Sequence, residues 1–149
     1  MNVQSPVAVP GKWSPPAKVS DAVKSVHAML HPRNIVLVGA TDKPGNYAER
    51  IWNNLIKYGF EGGLYPINTK RETIWGVPCY KDFASLPDKP DNVLVLVPAR
   101  FAVQVVRDAA AAGARSATIV TSGCSELQDA ESQRLAIELQ QAIEETGLA

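Results

Sequence analysis

Apolar residues follow two alternating patterns along the chain. Near-continuous apolar runs, bounded by glycine or polar residues, recur at 34–39 (NIVLVG), 62–68 (GGLYPIN), 91–98 (DNVLVLVP) and 116–123 (SATIVTSG). Runs of this kind fit parallel strands buried on both faces. Between and after them, apolar residues take helical spacing. Residues 20–30 predict a short helix, with Ser20 as cap, Ala22, Val23, Val26 and Leu30 on one face, and Pro32 as the stop. Residues 47–59 predict a second helix, with Tyr47, Ile51, Leu55 and Tyr58 on one face and Gly59 closing it. An alanine-rich helix over 99–113 closes at Gly113. A long helix over 129–147 carries Leu135, Leu139, Ala142 and Ile143 inward and closes at Gly147.

Strand and helix alternate, which predicts an α/β protein: a Rossmann-like, doubly wound, mostly parallel sheet with helices on both faces. The segment 71–90 is too short and irregular for a full crossover helix and reads as an extended piece and a helical turn. Residues 1–18 hold four prolines without periodicity and read as a flexible leader before a domain over 19–149. Leu148 and Ala149 read as the first residues of a further strand. The expectation is an N-terminal fragment of a larger protein.

Composition narrows the function classes. The chain has 149 residues, 46% of them hydrophobic, enough for one domain with a core. Formal net charge is zero, so bulk electrostatics give no case for nucleic acid or an anionic membrane. No apolar stretch approaches the roughly 18 residues of a membrane span, and no signal peptide opens the sequence. Cys79 and Cys124 make no disulfide framework and have no metal-ligand spacing. A reducing cytoplasm is the default compartment. His27 and His31 are the two histidines, scant material for zinc or Ser-His-Asp chemistry.

Open α/β sheets bind ligands outside the carboxyl ends of their strands. The first such end is Gly39, Ala40, Thr41, Asp42, Lys43, Pro44, Gly45 and Asn46. Glycine allows a tight turn there, and loop amides at a helix start can face an anion. Thr41 stands where the dinucleotide fingerprint has its second glycine. The second end carries Asn68, Thr69, Lys70 and Arg71. NAD-binding proteins place an acid near this position for the ribose diol. A basic tip suits a ribose phosphate instead, as in NADP or coenzyme A, although both charges also fit a solvated loop. The third end runs from Val97 to Phe101, with Val97, Pro98 and Ala99 as its candidate contacts; Pro98 suits a first helical turn and Arg100 reads as a surface charge. The fourth is Thr121, Ser122 and Gly123, small residues that leave room for a ligand. Cys124 reads as a loop cysteine, Glu126 as a carboxylate with no assigned chemistry, and Trp52 and Trp75 as packing residues.

Several stretches, taken in order, resemble one family. Pro32-Arg33-Asn34-Ile35 leads into the first strand, followed by Gly39-Ala40-Thr41 and Gly45. Next comes Gly59-Phe60-Glu61-Gly62-Gly63-Leu64-Tyr65-Pro66-Ile67-Asn68-Thr69-Lys70. Gly76 to Tyr80, Leu86-Pro87 with Asp91, Val97-Pro98-Ala99, and Thr121 with Gly123 and Glu126 complete the series. Over residues 31–149 the chain resembles the coenzyme A-binding domain of NDP-forming acyl-CoA synthetases, shared by the succinyl-CoA synthetase alpha subunit. Thr69 stands where the family usually has proline, and Cys124 where it usually has phenylalanine.

The resemblance implies that residues 41–46, with Asn68 and Lys70, hold the phosphates and adenosine end of CoA. Val97 to Ala99 and Thr121 to Gly123 would line the nucleotide and pantetheine path. It implies a parent reaction of acid, CoA and nucleoside triphosphate, through an acyl phosphate and a phosphohistidine carried on another domain. Neither His27 nor His31 matches that histidine. The implied partners are CoA and the remaining synthetase domains or a partner subunit, with a homo-oligomer as a further possibility. No metal is implied. Three alternatives stay open: a stand-alone CoA-binding regulatory protein, an NADP-binding oxidoreductase domain, and a partner-binding module whose nucleotide fold is empty.

Overall fold

The structure, a computed structural model, describes residues 21–121 and 129–148. The leader 1–18 and the residues Ser122, Gly123, Cys124 and Glu126 lie outside the described residues. Four parallel strands form the sheet: β1 (Asn34–Val38), β2 (Gly63–Ile67), and then β5 (Asn92–Val95) and β6 (Ser116–Ile119). The antiparallel hairpin of β3 (Thr73–Ile74) and β4 (Val77–Pro78) stands apart, between β2 and β5 in the chain. The helices are α1 (Asp21–Leu30), α2 (Tyr47–Lys57), α3 (Ala99–Ala111) and α4 (Ala130–Thr146).

Strand order is β2-β1-β5-β6. The chain moves to one side of β1 for β2, then crosses back to the other side for β5. The sheet order therefore reverses between β1 and β5, and the carboxyl ends of those strands open a crevice. All five residues of β1 are buried, as its unbroken apolar run predicts for a central strand. Pro66 sits within β2, which is tolerable because β2 is an edge of this sheet. The Pro66 carbonyl accepts from Tyr80 N at 2.9 Å on the outer side, so the missing Pro66 donor also belongs to that side.

Packing follows the two faces. Val36, Val38, Val93 and Val95 pack with Ala102 and Ala109 of α3 on one face. Ile35, Leu37 and Trp52 of α2 pack with Ile74 on the other. Trp52 stacks on Trp75 with ring centroids 4.9 Å apart. The helix faces follow the expected pattern only in part: Ile51, Leu55 and Leu139 pack half-buried on the core, but other positions differ. In α2 the buried residues are Ala48 and Trp52, while Tyr47 and Tyr58 are exposed. In α1, Ala28 is buried and Val23, Val26 and Leu30 are exposed. In α4, Ala142 and Ser132 face in and Ile143 faces out. Among the described residues, no helix is long and apolar enough to cross a membrane.

The amino end of the sheet is closed by polar contacts. Asp91 accepts from Arg33 N at 2.9 Å, from its Nε at 2.8 Å and from its Nη2 at 2.8 Å. The Asn34 side chain accepts from Asp91 N at 2.8 Å and donates to Lys89 O at 2.9 Å. The Asn92 amide donates to Met29 O at 3.3 Å, tying the end of α1 to β5. These bonds engage most of the buried polar groups of this edge; Asn92 Oδ1 is buried without a partner among the described residues. His27 and His31, with ring centroids 4.9 Å apart, also lie here, at the end of α1 before β1 begins.

Candidate functional site

The opposite, carboxyl edge holds a cleft of about 900 Å³ at the reversal point. Its floor is Val38 and Gly39 from β1, Ile67 from β2, and Val97 and Pro98 just after β5. Phe101 and Val105 of α3 and Phe83 of a short 3-10 turn give it an apolar wall. Thr41, Lys43, Asn68, Lys70 and Lys81 give it polar rims.

The first loop is shaped by Gly39 and Asn46. Gly39 takes φ +89°, a left-handed turn that ends β1 while its N–H still donates to Ile67 O at 3.1 Å. Asn46 is the N-cap of α2: its side-chain oxygen accepts from Glu49 N at 2.9 Å. Its amide donates to Thr41 O at 3.0 Å and to Lys43 O. The Glu49 carboxylate accepts from Gly45 N at 2.6 Å. Two of the amides expected to face an anion, those of Gly45 and Glu49, thus already have acceptors within the chain. What the loop offers the cleft is Thr41 and the Lys43 charge.

The second tip is tied to the first loop. Asn68 Nδ2 donates to Ala40 O at 2.7 Å, and its Oδ1 accepts from Lys70 N at 2.8 Å. Arg71 Nη2 reaches Asp42 Oδ1 at 3.0 Å. Asn68 therefore fixes the spacing of the two polar rims and orients the backbone that carries Lys70. Beside it, burial pushes the Cys79 thiol above its ordinary pKa, so that side chain is held protonated.

The cleft gathers Gly39, Thr41, Lys43, Asn68, Lys70, Val97 and Pro98 from the residues the sequence singled out. Asp42, Pro44, Gly45, Asn46, Ala99 and Thr121 are not among its lining residues. Asp42 turns to Arg71 and Asn46 to its cap, while β6, which Thr121 follows, lies beyond β5 from the reversal point. Ser122 and Gly123 lie outside the described residues. Phe101, the last residue of the third strand end, lines the cleft as well. Lys81, Asp82, Phe83, Val105 and Asp108 also line it and were not singled out. Lys81 depends on a backbone return that no local pattern shows.

A parallel α/β sheet with an apolar, cation-rimmed cleft at its reversal point defines a Rossmann-like nucleotide-binding class. The comparisons with known proteins narrow this. The family profile described as the CoA binding domain matches residues 33–147, and the chain belongs to that family. The alpha subunit of Acetate--CoA ligase [ADP-forming] I from Pyrococcus furiosus is 36% identical over 107 residues. That match covers 69% of this chain and 23% of the subunit. A trans-feruloyl-CoA synthase of an unknown prokaryotic organism is 32% identical over 103 residues, covering 69% of this chain and 15% of that protein. Among solved structures, the dinucleotide forming acetyl-coenzyme A synthetase 1 of Ca. Korarchaeum cryptofilum, in complex with phosphate and ADP, superposes with a TM-score of 0.76 at 32% identity. It covers 83% of this chain and 26% of that one. The chain thus spans about a quarter or less of the length of these relatives.

Proposed function

We propose that the cleft holds coenzyme A and that the chain acts as the CoA-binding part of an NDP-forming acyl-CoA synthetase. The observation that carries this reading is the cleft's pairing of apolar wall and cations. Phe83, Phe101 and Val105 offer a surface for the base and the pantetheine arm. Lys43, Lys70 and Lys81 pair with no acid among the described residues, so their charge is free for phosphates.

In this reading the domain contributes position. CoA is anchored by its phosphates while its thiol is presented to an acyl phosphate made on other domains or a partner subunit. The thiolate sulfur attacks the acyl carbon, the C–S bond forms, the C–O bond to phosphate breaks, and inorganic phosphate leaves. Holding the thiol at the carbonyl replaces a bimolecular encounter. His27 and His31 sit at the amino edge, away from the cleft, and take no part as the phosphorylated histidine. Relatives named for acetate and for ferulate share this segment at 36% and 32% identity, which favours an acid chosen outside it.

The tip residue provides a test. Lys70→Ala is expected to weaken CoA about tenfold, the value of one charge-assisted hydrogen bond, and to leave dephospho-CoA nearly unchanged. Titration calorimetry with both ligands measures it. Equal losses for the two would contradict the assignment of Lys70 to the 3′-phosphate.

A further inference from the structure

Adjacency in sequence presents Lys70 and Arg71 as a pair of cations at one tip. The structure separates them. Arg71 is turned to Asp42 at 3.0 Å and does not line the cleft. Lys81, eleven positions after Lys70 in the chain, lines it instead. We infer that Lys81, not Arg71, is the second cation that reads the ligand's ribose phosphate. Lys70 and Lys81 together form a specificity site for a phosphate monoester, and Lys43 with Thr41 serves the pyrophosphate. This rests on the reading of the cleft as a CoA site.

The backbone explains the placement. After β2 the chain leaves for the β3–β4 hairpin and then returns to the end of β2. Tyr80 N donates to Pro66 O at 2.9 Å, and Asn68 N donates to Tyr80 O at 2.9 Å. This reciprocal pair extends the sheet by a parallel bridge between Ile67 and Tyr80. Lys81 follows the bridge directly, so it emerges beside the tip that carries Lys70.

Charge distribution supports the same division. Neither acid of the cleft forms an ion pair with Lys81: the Asp82 carboxylate accepts from Ser85 N at 2.8 Å and caps the 3-10 turn. Asp108, on the far wall, accepts from Gln104 Nε2 at 2.8 Å. Both keep their negative charge, and Lys43, Lys70 and Lys81 against these two acids leave the lining net positive. Asp42 and Arg71 cancel one another, which removes an acid from the phosphate loop and a cation from the tip. Two unpaired lysines at one end match a phosphate monoester, which carries nearly two charges at neutral pH.

The test is titration calorimetry of CoA and dephospho-CoA on the wild-type chain, K81Q and R71Q. Both side chains are exposed, and unchanged melting temperatures will show that the variants fold. K81Q is expected to lose about tenfold for CoA and less than twofold for dephospho-CoA. R71Q is expected to keep the wild-type ratio between the two ligands. Equal losses in K81Q, no loss in K81Q, or erasure of the preference by R71Q would each overturn the inference while leaving CoA as ligand. Absence of CoA binding by the wild-type chain would overturn the ligand assignment itself, and the inference with it.

Discussion

Gly39→Ala is expected to remove CoA binding and to lower the melting temperature by on the order of 10 °C. Two independent costs meet at this residue. Its φ of +89° is unfavourable for any residue with a Cβ, by roughly 1–2 kcal/mol. An added Cβ would also lie 2.9 Å from Val97 Cγ1 and 3.0 Å from Leu96 C and O. Overpacking of this kind costs about 1–3 kcal/mol. Val97 can turn away, but the Leu96 backbone cannot move without parting β5 from β1. These strand ends form the cleft floor, so the strain falls where the proposed ligand would sit. At about 2–4 °C per kcal/mol for this chain length, the summed cost gives the stated shift. Thermal melts with and without CoA measure both effects. A variant that melts like the wild type and still binds would show that the loop adapts.

Asp91→Ala is expected to destabilise the chain by about 1–2 kcal/mol while leaving the cleft chemistry intact, because the exposed Arg33 guanidinium can turn to water but its backbone N–H loses its acceptor. Its side chain is only 4% exposed and holds three bonds from Arg33. Its loss leaves the Arg33 backbone N–H and guanidinium without their acceptor at the junction of β1, β5 and β6. The same bonds make stability depend on pH. The Arg33 hydrogen bond, opposed by burial, holds the Asp91 carboxyl below its ordinary pKa of 3.8. The unfolded chain therefore takes up a proton at Asp91 before the folded chain does. The contribution is full above about pH 5 and is lost as pH falls through the folded value. Asp91→Asn should flatten the acid limb of the stability curve. Denaturant melts between pH 2 and pH 7 read this directly, and parallel curves for wild type and variant would contradict it.

The alternation of strands and helices was legible because the sheet strands are rich in apolar residues, most completely in β1, which is buried at every position. The sequence pointed to the carboxyl ends of the strands, where small and polar residues gather, but not to which strands pair; the reversal point follows only from the order β2-β1-β5-β6. Helix faces were harder. In α2 the apolar spacing of Tyr47, Ile51, Leu55 and Tyr58 suggested one stripe, but the two tyrosines sit at the helix ends, where a ring can stay wet. The true inner face runs through Ala48 and Trp52, because Trp52 has Trp75 to stack on. That partner arrives on a hairpin more than 20 residues later. In α4 the inward Ser132 looks polar by composition, yet Asp129 satisfies both its amide and its hydroxyl. Lys81 escaped for the reason that the stacking partner of Trp52 did: the contact depends on a distant part of the chain. Its position is set by the return of residues 71–82 to the end of β2, a long-range pairing that leaves no period in the sequence.

The loop after β1 also shows how a familiar feature can be partly closed from within. Glu49 and Asn46 occupy amides that a helix start would otherwise turn to an anion. Side-chain cations then carry more of the expected recognition than the loop backbone does. This predicts a ligand preference set by phosphate number and position.

Thermal shift of the wild-type chain with CoA, dephospho-CoA, NADP and NAD tests the central claim most directly. At ligand about 100 times the dissociation constant, binding adds about 2.7 kcal/mol, a rise on the order of 5–10 °C. The account predicts a full rise with CoA, a smaller one with dephospho-CoA, and none with NADP or NAD. A rise with NADP and none with CoA would contradict it.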